Sequence, residues 1–287
     1  MTTFLFWNIR KKPLLDELVC LCQENDVDIL ILAEKPDIPD TEVQIALNKG
    51  IDNQYLALYN SPSRLSFFFR YPAESIKPIS DEGSIAIRRI SPPIGADILL
   101  VALHLTSKLH MSENGQTFQA IRVSQLIQEA ESMVGHTRTL VIGDLNMNPF
   151  EVGVVGADGF HAVMTQSIAQ KGSRKVQGKN KPFFYNPMWG RMGDTSVGTP
   201  GTYYYRSSDY VTYFWNTFDQ VLLRPELLDY FSADENNLKV IYKIGDKNLL
   251  TNKGIPNSKF YSDHLPILVT LKLERINQND QYQRPMG

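Results

Sequence analysis

The chain opens on an uninterrupted apolar and aromatic run, TFLFWNI, which reads as a buried strand, and then changes period. In KKPLLDELVCLCQEND, Pro13 can open a helix, and Leu14, Leu15, Leu18, Leu21 and Cys22 fall on one side of it. DILILAE follows as a second strand. YLALYN, LSFFFR, SIAIRRI and DILLVALHL, punctuated by Pro, Gly, Ser and Asp, read as further strands of a meandering sheet. Helical spacing returns in ENGQTFQAIRVSQLIQEAESMVG, with Phe118, Ile121, Leu126, Ile127, Ala130 and Met133 as its expected apolar side and Gly135 as its stop. TLVIGDLN is strand again.

From about residue 165 the pattern breaks. QKGSRKVQGKNKPFFYNPMWGRMGDTSVGTPGTYYYRSSDYVTYFWN, rich in Gly, Pro, aromatic and basic residues, reads as long loops. Order resumes with TFDQVLLRP, LKVIYKIG and DHLPILVTLKL. No linker composition or solenoid-length repeat divides the chain, so one domain of two packed sheets is expected over residues 1–274, with 275–287 as a flexible C-terminal tail.

Composition narrows the function classes. The 287 residues, 43% of them hydrophobic, suffice for a substantial core, and a formal net charge of -2 argues against binding nucleic acid through overall basicity, leaving only a local patch. Cys20 and Cys22 would diverge on a helix, so no disulfide framework is implied and a cytoplasmic location is expected. The N-terminal apolar residues precede the positive ones and are too few for a secretion signal. No run approaches a transmembrane span.

Polar residues recur where apolar strands end: Asn8, Glu34, His104, Asp144 with Asn146, Asp219, and Asp263 with His264. Singly, each is an ordinary turn former or core histidine. As a group, their chemical types match one reaction. Polar groups at the ends of buried strands must be paired or used, and this set suits phosphate-ester hydrolysis assisted by a hard divalent cation. Mg2+, with Mn2+ able to substitute, takes oxygen ligands, whereas the His and Cys sets that zinc calls for are not here.

FWNI, DILILAE, ALHL, GDLN, FDQVLL and SDHLPI occur in the order and approximate spacing of the endonuclease/exonuclease/phosphatase superfamily, which the chain resembles from Asn8 to His264. The resemblance implies an α+β fold, the deoxyribonuclease-I-like four-layer α/β/β/α sandwich of two mixed β-sheets flanked by helices. It implies a metal-dependent phosphoric ester hydrolase in which Asn8, Glu34 and Asp263 form the metal site. Asp144 would activate the nucleophilic water and Asn146 hold phosphate or water. His264, partnered by Asp219, would contact the phosphate, as would His104. Two positions depart from the family pattern: Ala33 stands where a glutamine commonly precedes the metal-binding glutamate, and Lys35 follows Glu34.

Substrate is less determined, since this fold serves nucleases, deadenylases, phosphatases and sphingomyelinases. QKGSRKVQGKNKP, with Lys171, Arg174, Lys175, Lys179 and Lys181 and no acid, is a candidate phosphate-backbone clamp. GTYYYRSSDYVTYFWN supplies Tyr203, Tyr204, Tyr205, Tyr210, Tyr213, Phe214 and Trp215. Half or more of these are expected to be core anchors, and the rest, Tyr205 among them, to stack on bases. A phosphodiester substrate, with nucleic acid favoured, is the leading expectation. A phosphomonoesterase or phospholipase-type hydrolase on a small or lipid-linked phosphate is the alternative within the enzyme class, and a non-catalytic nucleic-acid or protein binding module is the alternative outside it. No protein partner is inferable.

Overall fold

The computed structural model describes residues 1–50, 54–58, 64–93, 95–194 and 196–273. The expected tail, 275–287, lies outside the described residues. Two mixed sheets dominate. In the first, β1 (Thr2–Asn8) lies between β2 (Ile29–Ala33), to which it is parallel, and the antiparallel strand Ile267–Leu271. Beyond β2 come β4 (Leu65–Phe69) and β3 (Leu56–Ala57), and Leu238–Val240 closes the other edge. The second sheet runs β5 (Ile76–Glu82), β6 (Ile85–Ile90), β7 (Ile98–His104), β8 (Thr139–Asp144), then Asp219–Leu223, Phe184–Tyr185 and Ala162–Val163.

Side-chain alternation builds the layers. Along β7, Ile98, Leu100 and Ala102 join the core shared with the first sheet, while Leu99, Val101 and Leu103 face the other way. That outer face is covered by helix α3 (Glu113–Val134), which Ser112 caps at its start and left-handed Gly135 ends. On the first sheet, α1 (Leu15–Glu24) crosses over between the parallel strands β1 and β2, and α2 (Asp40–Leu47) packs beside it; Leu18, Leu21, Val43 and Leu47 are buried in the same core. A strand covered on both faces needs apolar residues throughout, which explains the unbroken TFLFWNI.

Several expectations change. The buried stripe of α3 is Ala120, Val123, Ile127 and Ala130, while Phe118 and Met133 are 71% and 75% exposed. Small residues let the helix lie close to the sheet and to the short helix Val152–Val155, where a Cβ on Gly153 would meet Ala120 at 3.1 Å. Helix α2 and strand β5 carried no clear periodic signal. The stretch read as long loops after residue 165 holds short elements, including an antiparallel ribbon of Ser173–Val176 with Lys179–Pro182 and another of Tyr203–Tyr204 with Trp215–Asn216. Cys20 and Cys22 are free thiols, and among the described residues no helix is long and apolar enough to cross a membrane.

Candidate active site

Strand register assembles the site. His104 ends β7 directly beside Asp144 at the end of β8, and Asp144 in turn pairs with Asp219, the first residue of the neighbouring strand. Three polar residues thus share one level of the hydrogen-bond ladder. Gly143 permits this closeness, because a Cβ there would come 2.1 Å from the Leu103 carbonyl oxygen. From the facing sheet, β1 and β2 deliver Asn8 and Glu34 to the same rim, and the turn before Ile267–Leu271 delivers His264. That turn is tied down by Ser262, whose hydroxyl donates to the Asn8 carbonyl at 2.6 Å and accepts from the His264 amide at 3.1 Å; the Trp7 indole donates to the His264 carbonyl at 2.9 Å.

Asp144, 1% exposed, is the centre of the group. Asn8 Nδ2 donates to Asp144 Oδ2 at 3.1 Å and approaches Glu34 Oε1 at 3.5 Å. The Nε2 atoms of His264 and His104 lie 3.8 and 3.9 Å from that same Asp144 oxygen. His104 Nε2 is also 3.4 Å from Glu34 Oε1. On its far side, His264 Nδ1 is 2.9 Å from Asp219 Oδ2. Burial works against the His264 imidazolium, but the flanking Asp219 and Asp144 carboxylates prevail and push its pKa up to about 10. Burial pushes the Asp219 carboxyl up as well; the direction that governs the pair is that of His264, since two carboxylates favour its charged form. The hydrogen bond with His104 lowers the Glu34 carboxyl, and His104 is raised in spite of its burial by the same bond and by Asp144.

The loop after Asp144 is pinned by Asn146 and by further amides outside the expected set. Asn146 adopts a left-handed conformation, φ 51°, with its amide N–H on Asp144 Oδ1 at 2.9 Å and its side-chain Nδ2 on the Leu105 carbonyl at 2.9 Å. Gln116, buried on the first turns of α3, donates from Nε2 to the carbonyls of both Asn146 (2.9 Å) and Thr106 (3.0 Å). Gln220 donates to the Met147 carbonyl at 2.5 Å and accepts from Asn186, while Asn148 bonds Asn216 and accepts from the Thr217 amide. The available signal was weak: amides at 116, 148 and 220 stand within otherwise apolar or helical segments.

Asp263 stands at the edge. One carboxylate oxygen pairs with Arg10 at 3.0 Å, and the other is buried without a hydrogen-bond partner among the described residues. The Lys35 ammonium bonds the carbonyls of Pro36 and Ile38 and lies 3.5 Å from Asp40, so it is spent on its own loop. Left-handed backbone recurs at Glu34, φ 48°.

The site's donors fit a hard cation. The carboxylate oxygens of Glu34 and Asp144 flank the Asn8 Nδ2 atom, and Asn8 Oδ1, which accepts from the Arg10 amide at 3.1 Å, would have to turn from that partner to join them on a cation. A second grouping, Asp144, Asp219 and His264, brings potential ligand atoms within 4.8 Å of one another, but a cation there would compete for the bond joining His264 to Asp219.

The proposed clamp is not brought to this rim. Asp219 marks the rim end of its strand, Leu223 at the other end pairs with Tyr185, and the ribbon carrying Arg174, Lys175 and Lys179 joins the sheet there, just before Phe184. Tyr205 does lie near the site, following Tyr203, whose ring packs 4.7 Å from His264. Of the seven aromatics expected to divide between core and surface, Tyr203, Tyr204 and Trp215 are half-buried and Tyr205, Tyr210, Tyr213 and Phe214 are exposed, so fewer serve as anchors than expected. The ribbon Tyr203–Tyr204/Trp215–Asn216 holds their loop by backbone pairing instead.

No family model matches the sequence, and no curated protein matches it. Solved structures do. An endonuclease/exonuclease/phosphatase family protein from Leptotrichia buccalis is 13% identical over 94% of this chain and 99% of that chain, with a TM-score of 0.51. An AP endonuclease from Archaeoglobus fulgidus is 13% identical over 94% and 99%, with a TM-score of 0.53. The 3′ phosphatase NExo from Neisseria, bound to product DNA hairpin, is 12% identical over 94% and 99%, with a TM-score of 0.51. Identities this low speak to architecture alone, and the architecture is the deoxyribonuclease-I-like fold that these structures share.

Proposed function

We propose that the protein is a divalent-cation-dependent phosphoesterase, Mg2+ being the expected ion, that hydrolyses phosphodiesters and most favourably those of nucleic acid. The observation that carries this reading is that the His264 and His104 Nε2 atoms lie 3.8 and 3.9 Å from one oxygen of the buried Asp144 carboxylate, with the Glu34 carboxylate 3.4 Å from His104. Glu34 and Asn8 would hold the cation, which polarises a phosphoryl oxygen and offsets charge on the leaving oxygen. Asp144 orients the attacking water and takes its proton. His264, kept charged by Asp219, donates from Nε2 to a non-bridging phosphate oxygen, and His104 Nε2 contacts the phosphate from the opposite side. The unpartnered oxygen of Asp263 is available to complete the cation's edge. A pure binding module has no use for carboxylates that repel phosphate in the absence of a metal.

Nucleic acid is favoured by the exposed Tyr205, Tyr210, Tyr213 and Phe214 in the segment that follows Tyr203, which offer faces on which bases can stack. Among structures of like fold, one is an AP endonuclease and one a 3′ phosphatase with DNA bound. A phosphomonoesterase is the second reading, supported by the same phosphatase. Free thiols at Cys20 and Cys22 suit a cytoplasmic location. The test is hydrolysis of bis-p-nitrophenyl phosphate, p-nitrophenyl phosphate and single- and double-stranded DNA and RNA, each with Mg2+, Mn2+ or EDTA, alongside Asp144→Asn. Metal-dependent cleavage of nucleic acid lost in Asp144→Asn is expected. Turnover of the monoester alone would transfer the case to the phosphatase reading, and no turnover on any substrate would refute both.

A further inference from the structure

One charged surface is left over by this chemistry. The ribbon Ser173–Val176/Lys179–Pro182 carries Arg174, Lys175, Lys179 and Lys181 and no acid. Its register sets Arg174 directly opposite Lys181. Such a like-charge pair is unfavourable unless something offsets it. Lys181 pairs with Asp158. Arg174, Lys175 and Lys179 form no ion pair with a carboxylate among the described residues.

Arg174 is nonetheless held in place. Its Nε donates to His161 Nε2 at 2.8 Å. His161 is 2% exposed, packs on Phe183 with ring centroids 4.4 Å apart, and has Nδ1 3.2 Å from the Pro182 carbonyl. An imidazole that accepts at Nε2 must carry its proton on Nδ1, which suits that carbonyl. The histidine is therefore neutral, as burial and Arg174 both favour, and it sits in a left-handed conformation, φ 51°. A buried, fixed acceptor thus orients an exposed guanidinium through Nε and leaves both Nη nitrogens open to an incoming ligand.

We propose that the ribbon is an exosite for the phosphate backbone of a nucleic-acid substrate, with Arg174 as a preorganised fork for one phosphate and Lys175 and Lys179 as flanking cations. The proposal rests on the phosphodiesterase reading. A guanidinium with two open Nη groups matches the paired oxygens of a phosphate, and a chain of near-neutral net charge needs a local patch to hold a polyanion. Geometry also sets a length. Four strand steps from Asp219 to Leu223 and three more from Tyr185 back to Pro182, at roughly 3.3 Å each, separate the rim from the ribbon's root by about 23 Å. Phosphates advance about 3.4 Å per nucleotide along each strand of a duplex, so a substrate must extend about seven nucleotides past the reacting phosphate to reach it.

The test compares kcat/KM on a dinucleotide with that on an oligonucleotide of about 20 nucleotides, for the wild-type protein, Arg174→Ala, and Arg174→Ala/Lys175→Ala/Lys179→Ala. The long-to-short ratio is expected to fall about tenfold or more in the triple variant, and the log-log salt slope of long-substrate binding to shrink by about 0.7–0.9 per lost phosphate contact. His161→Phe, which keeps a ring against Phe183 but removes the acceptor, should move the ratio in the same direction as Arg174→Ala. An unchanged ratio, or equal losses on both lengths, overturns the exosite. Retention of polyglutamate without retention of the oligonucleotide would assign the ribbon to an acidic protein and likewise overturn it. Binding of the long oligonucleotide to Asp144→Asn protein, with and without Arg174→Ala, needs no turnover. It therefore still decides the ribbon if the wild-type protein cleaves neither substrate, an outcome that would sink the hydrolase reading alone.

Discussion

Replacing Gln116 by leucine removes a side chain that grips the loops after His104 and after Asp144 together. Its Nε2 hydrogen bonds to the carbonyls of Thr106 and Asn146 are lost, and in the buried surroundings of Asn146 no water replaces them readily. Leaving a buried carbonyl unsatisfied costs roughly 1–3 kcal/mol. Two carbonyls, one of them only partly buried, therefore come to about 2–4 kcal/mol. Removing Gln116 Oε1, which is itself buried without a partner among the described residues, returns a fraction of that. For a domain of this size each kcal/mol lowers the melting temperature by roughly 2–4 °C, giving an expected fall of about 5–15 °C. Asn146 is also held in a left-handed turn that its neighbours must enforce, so the Asp144–Asn146 loop should loosen. On bis-p-nitrophenyl phosphate, well below the melting temperature, kcat should drop about 10–100-fold with little change in KM, the range set by losing one preorganising contact to catalytic groups. Gln116→Glu, equal in shape but carrying a repelling oxygen toward both carbonyls, should behave no better. An unaltered melting temperature with unaltered kcat in Gln116→Leu would refute the reasoning.

Asp144→Asn and His264→Ala should abolish turnover of any active substrate while circular dichroism stays near wild type, His264→Ala with a lowered melting temperature because it leaves the buried Asp219 without its histidine; near-normal activity in either would remove the role assigned to it. Gly143→Ala should destabilise by roughly 3 kcal/mol or more in urea titrations, because its Cβ would fall 2.1 Å from the Leu103 carbonyl oxygen inside the β7–β8 ladder. Burial raises the Glu226 carboxyl, but hydrogen bonds from Thr137 and the Arg138 guanidinium prevail and hold it below its ordinary 4.5. Its contribution to stability is present above that pH and is lost as pH falls through the lowered value; Glu226→Gln should flatten the acid limb of a stability-against-pH curve, and an unchanged limb would discount the pair.

The rim residues were legible because each stands at the end of an apolar strand, where the change from core to loop is visible in one sequence. The supporting amides were not. Gln116 lies on a helix among Gly115 and Thr117, and nothing in helical periodicity tells a buried glutamine from a solvated one. In the stripe of α3, Leu126, Ile127 and Ala130 are buried as their spacing predicts, whereas the close packing takes Ala120 and Val123 in place of Phe118 and Met133, a choice that apolar spacing alone does not reveal. The basic segment stands out by composition, but its place in the fold is not legible in the sequence. Sequence proximity to the aromatic loop implied a shared surface, while the reversal of the chain through Phe184–Tyr185 and Asp219–Leu223 roots the ribbon at the other end of the sheet.

The rungs joining His104 to Asp144 and Asp144 to Asp219 belong to the central strands of a seven-stranded sheet. Amides in such strands exchange with solvent only when the whole domain opens, whereas a two-stranded ribbon at the periphery can open alone. Deuterium should therefore enter the ribbon Ser173–Pro182 early and the strands bearing Asp144 and Asp219 last. On heating, the chemical centre should survive until global unfolding, after any capacity that depends on the ribbon has already faded.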